Sequence, residues 1–399
     1  MTGRPQRQSL AAFFFSFLFF HRASSTSMDS ILIRSVESKR DLDRFIKFQW
    51  SIYDRNPVWV PPLLMDRRKI LNKQRNPFYK HAEAEFLTAE RNGTMVGRIA
   101  AIVNHNHNAE HQDKVGFFGF FESIDDADVS TALFDRAKAF LKSRGMNVMR
   151  GPANPSVNDD WGLLVDGFQH SPTVLMPYNP GYYATLIEKY GFKKTKDLFA
   201  YYLTQEKFYT ERMERVHKRL LERHSMTFRT LDMKRFHEEV QLVKTIYNKA
   251  WAENWGAVPM TDEEIDALAA DLKPVVEPEL ILFLEIHNKT IGFSLSIPDI
   301  NIALRYNRKG RLLPGLARMF LHKKKITGVR VIVLGVLPEY QRTGAAGMLF
   351  YETAIRARRL GYTWGEASWV LEDNVPMVRA AEAMNGTLQK KYRLYDLAV

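Results

Sequence analysis

Along the chain, stretches with apolar residues at every second position alternate with stretches where they recur every third or fourth. This succession runs through the chain twice in the same order. In the first half, residues 31–36 (ILIRSV) predict a strand and 41–56 a helix. Residues 83–103 predict a hairpin around Asn92-Gly93, a dipeptide suited to a two-residue turn between strands. A strand follows at 114–124, and a helix at 125–145 with aspartates at its start and Gly145 at its end. Residues 147–156 predict a strand running into a loop, and 180–192 a short helix closed by Gly191. The second half repeats the pattern. It has a strand at 226–232, a helix at 233–251, a hairpin at 279–297 around Asn288-Lys289, and a strand at 329–337. A helix at 343–361, a strand at 362–371, a helix at 374–386 and a last strand at 387–397 complete it. Each half therefore reads β–α–β–β–β–α–β–α–β. Hairpins impose antiparallel pairs and crossovers parallel ones, so the expected class is α/β (α+β) with mixed, mostly antiparallel sheets flanked by helices.

These patterns divide the chain into a first lobe at 28–205, a charged helical connector at 206–223 and a second lobe at 224–399. Residues 1–27 stand apart. Two arginines precede an eleven-residue apolar run, Leu10 to Phe20, too short to span a bilayer; Met28 then opens an ordinary domain start. The preferred reading is a start assigned too early, the other a targeting segment.

Composition narrows the chemistry. The 399 residues contain no cysteine, which excludes disulfides, a thiolate nucleophile and cysteine-held metal, and suits a reducing, cytoplasmic setting. A formal net charge of +12 favours anionic partners without choosing among them, and charge alone makes a weak case for nucleic acid.

The junction between strand 329–337 and helix 343–361 carries the sharpest signal. A strand feeding a helix through small residues leaves the first backbone N–H groups of the helix unpaired at its positive end, a natural seat for a phosphate. Gly344, Ala345, Ala346 and Gly347 lack bulk, and Arg342 can add a charge-assisted contact. Gln341-Arg342-Thr343-Gly344-Ala345-Ala346 resembles the Gln/Arg-x-x-Gly-x-Gly/Ala signature of the Gcn5-related N-acetyltransferase (GNAT) superfamily. Asn374-x-x-Met377 looks like that family's second cofactor motif. The resemblance implies two tandem GNAT-like folds, with acetyl-CoA or another acyl-CoA as co-substrate on the second lobe and no metal. It also implies a splayed strand on which the backbone of Val336 or Leu337 donates to the reacting carbonyl. The first lobe departs from the family at the same junction, where Asp125, Asp126 and Asp128 would repel a pyrophosphate.

The expected activity is acyl-CoA-dependent N-acylation of an amine held between the lobes. The family's helical tyrosine is replaced by Ala381, leaving Tyr392, Tyr395 or water to protonate the thiolate. Glu366 and Glu372 are the candidate bases, provided their pKa is raised. Acceptor-site candidates are Asn158, Asp160 and Trp161 in a turn-rich segment that also holds Asn154 and Asp159. Tyr178 with Asn179, and Trp251, Asn254 and Trp255, join them. Turn formation and packing account for the same residues without any ligand. His105, His107 and His111 read as a polar loop rather than a metal site. Residues 298–325 mix leucines and Phe320 with Arg and Lys, which fits either a helix packed on the protein or contact with an anionic membrane. A lipid-like acceptor, of the kind used by the GNAT-like bacterial ceramide synthases, would accompany the membrane reading. A non-catalytic acyl-CoA-binding scaffold and a Fem-like aminoacyl transferase are the rival functions.

Overall fold

The computed structural model describes residues 30–208, 211–252 and 254–399; segment 1–27 lies outside them. In the first half the strands are β1 (Leu32–Ser35), β2 (Ala82–Arg91), β3 (Thr94–Asn104), β4 (Val115–Ser123), β5 (Val148–Gly151), β6 (Ala153–Asn154), β7 (Asp160–Trp161), β8 (Leu163–Asp166) and β9 (Lys193–Thr204). In the second they are β10 (Met226–Thr230), β11 (Ile281–Ile286), β12 (Lys289–Pro298), β13 (Gly328–Val336), β14 (Trp364–Leu371) and β15 (Thr387–Ala398). Asn92 and Gly93 both take positive φ, the conformation that folds β2 onto β3. The second hairpin turns one residue earlier than expected, on His287 and Asn288, which both adopt positive φ.

One sheet runs through both halves in the order β1-β2-β3-β4-β5-β15-β9-β14-β13-β12-β11-β10, with β8 also on β15. The last strand of each half has crossed over. β15 pairs antiparallel with β5 of the first half, and β9 pairs antiparallel with β14 of the second. Segments 28–205 and 224–399 are therefore not two closed sheets, because each borrows its inner edge from the other. Tyr392 and Tyr395 of β15 are fully buried in clusters made mostly by the first half, with Phe117, Trp161 and Leu198 on one face and Phe118, Phe134 and Phe192 on the other. Removing each ring from water contributes roughly 1.5–3 kcal/mol to holding the exchange.

Helices cover both faces. Ser38 and Asp41 form a capping box at the front of Lys39–Tyr53, which buries Phe45, Ile46 and Phe48. The connector becomes two helices, Gln205–Phe208 and Glu211–His224. Residues 105–111 are a helix and not the expected loop. Asn104 accepts from the N–H groups of Asn106 and His107, and His107 packs edge-on against Phe117. Burial first, then His111 and Arg150, push the His107 imidazole down to about 3, so it is a neutral core residue. The insertion 298–325 holds helices Asn301–Leu304 and Leu312–His322. Among the described residues no helix is long and apolar enough to cross a membrane, and no cluster of His, Asp and Glu has the form of a metal site.

Candidate active site

β13 and β14 run parallel and paired from Gly328–Trp364 to Val331–Ala367, and there the pairing stops. A bulge at Ile332, which has no partner between Leu295 and Ser296 of β12, bends β13 at the same level. The strands thus open into a wedge, and Val331 to Leu334 are half-exposed along it. The N–H of Leu337 donates to Ile291 O (2.9 Å), so it cannot serve a ligand as expected. By the antiparallel alternation the N–H of Val336 faces the open side instead.

Beyond the wedge, a 3-10 turn (Pro338–Thr343) leads to Gly344 at φ 83°, a left-handed conformation that glycine adopts without strain, and then to helix Ala345–Arg359. No side chain caps this helix, and its first backbone bond is Met348 N–H to Gly344 O (3.1 Å). Gln341, Arg342, Gly344 and Gly347 are exposed, and a Cβ added at Gly347 would meet nothing within 4 Å. Leu220 packs against Gly344, 3.2 Å from where a Cβ would stand, so the front of the helix is positive, without bulk of its own and open on the Gly347 side, and the exposed Arg342 precedes it in the chain. These residues fit a pyrophosphate.

The equivalent place in the first half is closed. β4 and β5 pair only from Val115–Val148 to Phe117–Arg150 before parting. The chain itself then fills the gap: Asn154 Oδ1 accepts from Phe120 N–H, and a Cβ at Gly119 would lie 1.7 Å from Ala153 O. The helix after β4, Ala127–Ser143, is capped by Asp126, which accepts from the N–H groups of Asp128 and Val129.

A buried polar network lies where β14, β13 and β15 meet a crossing segment of the first half. Glu366 (1% exposed) receives Lys390 Nζ at 2.6 Å, Thr173 Oγ1 at 2.7 Å and Ser368 Oγ at 2.9 Å. Arg330, also 1% exposed, donates to Ser368 Oγ (3.1 Å), Val174 O (2.9 Å) and Leu175 O (3.0 Å). Asp299 accepts from Val174 N–H (2.8 Å), and burial, partly offset by that bond, lifts its carboxyl to about 7. Burial alone would raise Glu366 as well. The charge and hydrogen bond of Lys390, with Thr173 and Arg330, win and hold it below its ordinary value. Glu366 is thus an ionised anchor and not the raised-pKa base expected from sequence. Glu372 is spent elsewhere, on Lys194 Nζ (2.7 Å) and the N–H of Asp197 (3.0 Å).

Two buried polar atoms beside this network have no hydrogen-bond partner among the described residues: Tyr392 Oη and Trp369 Nε1. Their rings meet edge-on at 6.2 Å, and the Arg330 guanidinium lies 5.2 Å from the Trp369 ring. Trp369 sits on β14 just past the point where it leaves β13. Burial and then the charge of Glu366 push the Tyr392 hydroxyl well above its ordinary range, so it keeps its proton. An unpaired donor in such a place costs about 1–3 kcal/mol unless a ligand or water meets it. Tyr395, the alternative hydroxyl, donates to Glu188 (2.9 Å) and is already paired.

The acceptor-site candidates from the two halves come together. Asn158 Nδ2 donates to Val258 O (3.2 Å), its Oδ1 accepts from Tyr247 (2.9 Å), and Trp161 packs against Trp255. Trp251 stacks on Tyr247, and Asn254 shapes the turn that follows through backbone bonds. Asp160 pairs with Arg67 at 2.8 Å and lies close enough to Tyr392 and Arg330 to act on both electrostatically. Tyr178 bonds Phe168 O and Asn56, and Asn374 caps helix Val375–Ala383 through Met377 N–H. Most of these groups are therefore satisfied within the protein. Sequence reasoning missed Arg330, Lys390, Thr173 and Trp369. A guanidinium inside the apolar run VRVIVLGV was the available signal for the first.

No family model matches the sequence. A protein named bacterial ceramide synthase from Caulobacter vibrioides is 37% identical over 384 residues, covering 94% of this chain and 99% of that one. The chain belongs to the same family. Protein YghO of Escherichia coli is a further member, 35% identical over 379 residues and covering 92% of this chain and 95% of its own. The family's architecture is that of tandem GNAT proteins. A solved tandem GNAT protein of the clavulanic acid biosynthesis pathway covers 92% of this chain and 98% of its own length, with a TM-score of 0.54 at 8% identity.

Proposed function

We propose that this protein is an acyl-CoA-dependent N-acyltransferase whose acceptor is a long-chain amine. The observation that carries the reading is the contrast between the two halves. The second has an open wedge ending at an uncapped, glycine-fronted helix, whereas the first has the same wedge filled and the same helix capped. The name of the Caulobacter relative supports an acceptor of this class, since a ceramide is an N-acylated long-chain amino alcohol.

A bound acyl-CoA would bring an activated thioester carbonyl. On this reading the N–H groups of Ala345, Ala346 and Gly347, with Arg342, hold its pyrophosphate, and Val336 N–H meets the arm along the wedge. The neutral amine forms the C–N bond as the C–S bond breaks, and the amine loses a proton as the thiolate gains one. Trp369 N–H and Tyr392 O–H are the unspent donors for negative charge that develops on oxygen or sulfur. Arg330 lies against Trp369, Lys390 holds Glu366 in place, and burial with the charge of Glu366 keeps the Tyr392 proton on its oxygen. The first half serves as the acceptor-side wall, reaching the network through Thr173 to Leu175.

Thiol release with amide detection, over a panel of acyl-CoAs and amines, tests this reading. Amide should form with long-chain amino alcohols, with one thiol per amide. Tyr392→Phe should lower kcat by about 10²-fold while leaving CoA affinity unchanged and thermal stability no lower, since the lost hydroxyl has no protein partner. Tight CoA binding without amide formation on any amine would replace catalysis with a scaffold role.

A further inference from the structure

Helix Leu312–His322 presents to solvent the kind of surface a protein usually buries. Its inner side is seated on the first half. Gly315 is buried where a Cβ would come within 3.0 Å of Leu63 and 2.8 Å of Asn307. Gly310 O accepts from Leu64 N–H (2.8 Å), and Arg308 O accepts from Trp50 Nε1 (2.7 Å). The outer side carries Leu313 (77% exposed), Leu316 (51%), Phe320 (83%) and Leu321 (71%), spaced to share one face. Around that face the charge is of one sign. Between residues 300 and 327 there are eight Lys and Arg and no Asp or Glu, and Arg311, Arg318, Lys323, Lys324 and Lys325 are exposed.

We infer that this helix docks the protein on a bilayer of anionic phospholipid, lying in the interface plane with its leucines and Phe320 in the acyl boundary and the lysines on the headgroups. The chemistry commits to that occupant. A purely apolar partner leaves the basic rim unmatched, and a polyanion such as nucleic acid leaves Phe320 and three leucines in water. The stem of the insertion also adjoins the buried network, because Asn301 Nδ2 donates to Pro172 O (3.0 Å), next to Thr173. The docking itself does not depend on the acyl-transfer reading, since it is measured without either substrate.

Flotation of the full chain with vesicles of phosphatidylcholine, alone or mixed with phosphatidylglycerol, is the test. Two variants accompany it: Leu313→Ser/Leu316→Ser/Phe320→Ser, and Lys323→Glu/Lys324→Glu/Lys325→Glu. All six positions are exposed, and unchanged circular dichroism confirms folding. The wild type should float with the anionic vesicles, weakly with phosphatidylcholine alone, and less as salt rises. Each variant should bind the anionic vesicles at least about tenfold more weakly. Both variants keep residues 1–27, so binding carried by that segment would persist in them and overturn the assignment. An apolar-face variant that converts a wild-type dimer to monomer without changing flotation would overturn it too, giving the face to a second copy of the chain.

Discussion

Glu366 lies at the centre of a network fed from three strands and from a segment of the other half. Replacing it with Gln leaves Lys390 as a buried cation without a counter-charge, and should cost about 3 kcal/mol in denaturant unfolding. The double variant Glu366→Met/Lys390→Met should recover most of that loss. The pH dependence has a definite sign. The folded-state pKa of Glu366 is depressed below its ordinary 4.5, so its contribution is complete above about that pH and is lost as pH falls through the lower folded value. The gap between wild type and Glu366→Gln should therefore be flat from neutrality down to about pH 4.5 and narrow below it. An equal gap at all pH values would show that the carboxylate is not what the network needs. The sequence singled out Glu366 but gave it the wrong task, because its partners Lys390 and Thr173 reach it only through the fold. Tyr392 was legible as a hydroxyl on the last strand. Its lack of a partner, which distinguishes it from Tyr395, appears only once the rings around it are placed.

At the level of elements, the two lobes differ by what occupies one wedge and one helix start. The small residues at 344–347 were readable directly, since a strand-to-helix turn without side chains is a local property of sequence. The acidic cap at Asp126 was readable for the same reason. The filling of the first wedge by Ala153 and Asn154 was not, because nothing local marks a short segment that turns back between two parted strands. The plug makes its own prediction. In Gly119→Ala the new Cβ must displace the backbone at Ala153, which should cost about 3 kcal/mol in unfolding free energy. A loss within experimental error of zero would mean that this segment does not sit against β4. The helix at 105–111 shows the other limit of local reading, where the Asn104 cap and the seat of His107 against Phe117 turned a loop-like sequence into a helix.

In the whole molecule, the repeated order of elements gave two GNAT-like halves, and the sheet shows how they are joined. Exchange of β9 and β15 was beyond the reach of periodicity, which predicts strands but not their neighbours. Its consequence is that Tyr392, from the last strand, stands on the first half's core, while Thr173 to Leu175, from the first half, close the second half's network. On the proposed function, one donor site would then serve the whole chain, built by both halves and held by one helix start. Calorimetric titration of coenzyme A into the wild type and into Gly347→Asp tests that most directly. The aspartate has open space and suits the first turn of a helix, so thermal stability should hold or rise by a few tenths of a kcal/mol, while its charge would face the pyrophosphate of a coenzyme A bound as proposed. The account predicts one molecule of coenzyme A per wild-type chain and an affinity at least about 10²-fold weaker in the variant. Two sites per chain, no binding at all, or equal affinity in a folded Gly347→Asp would contradict it.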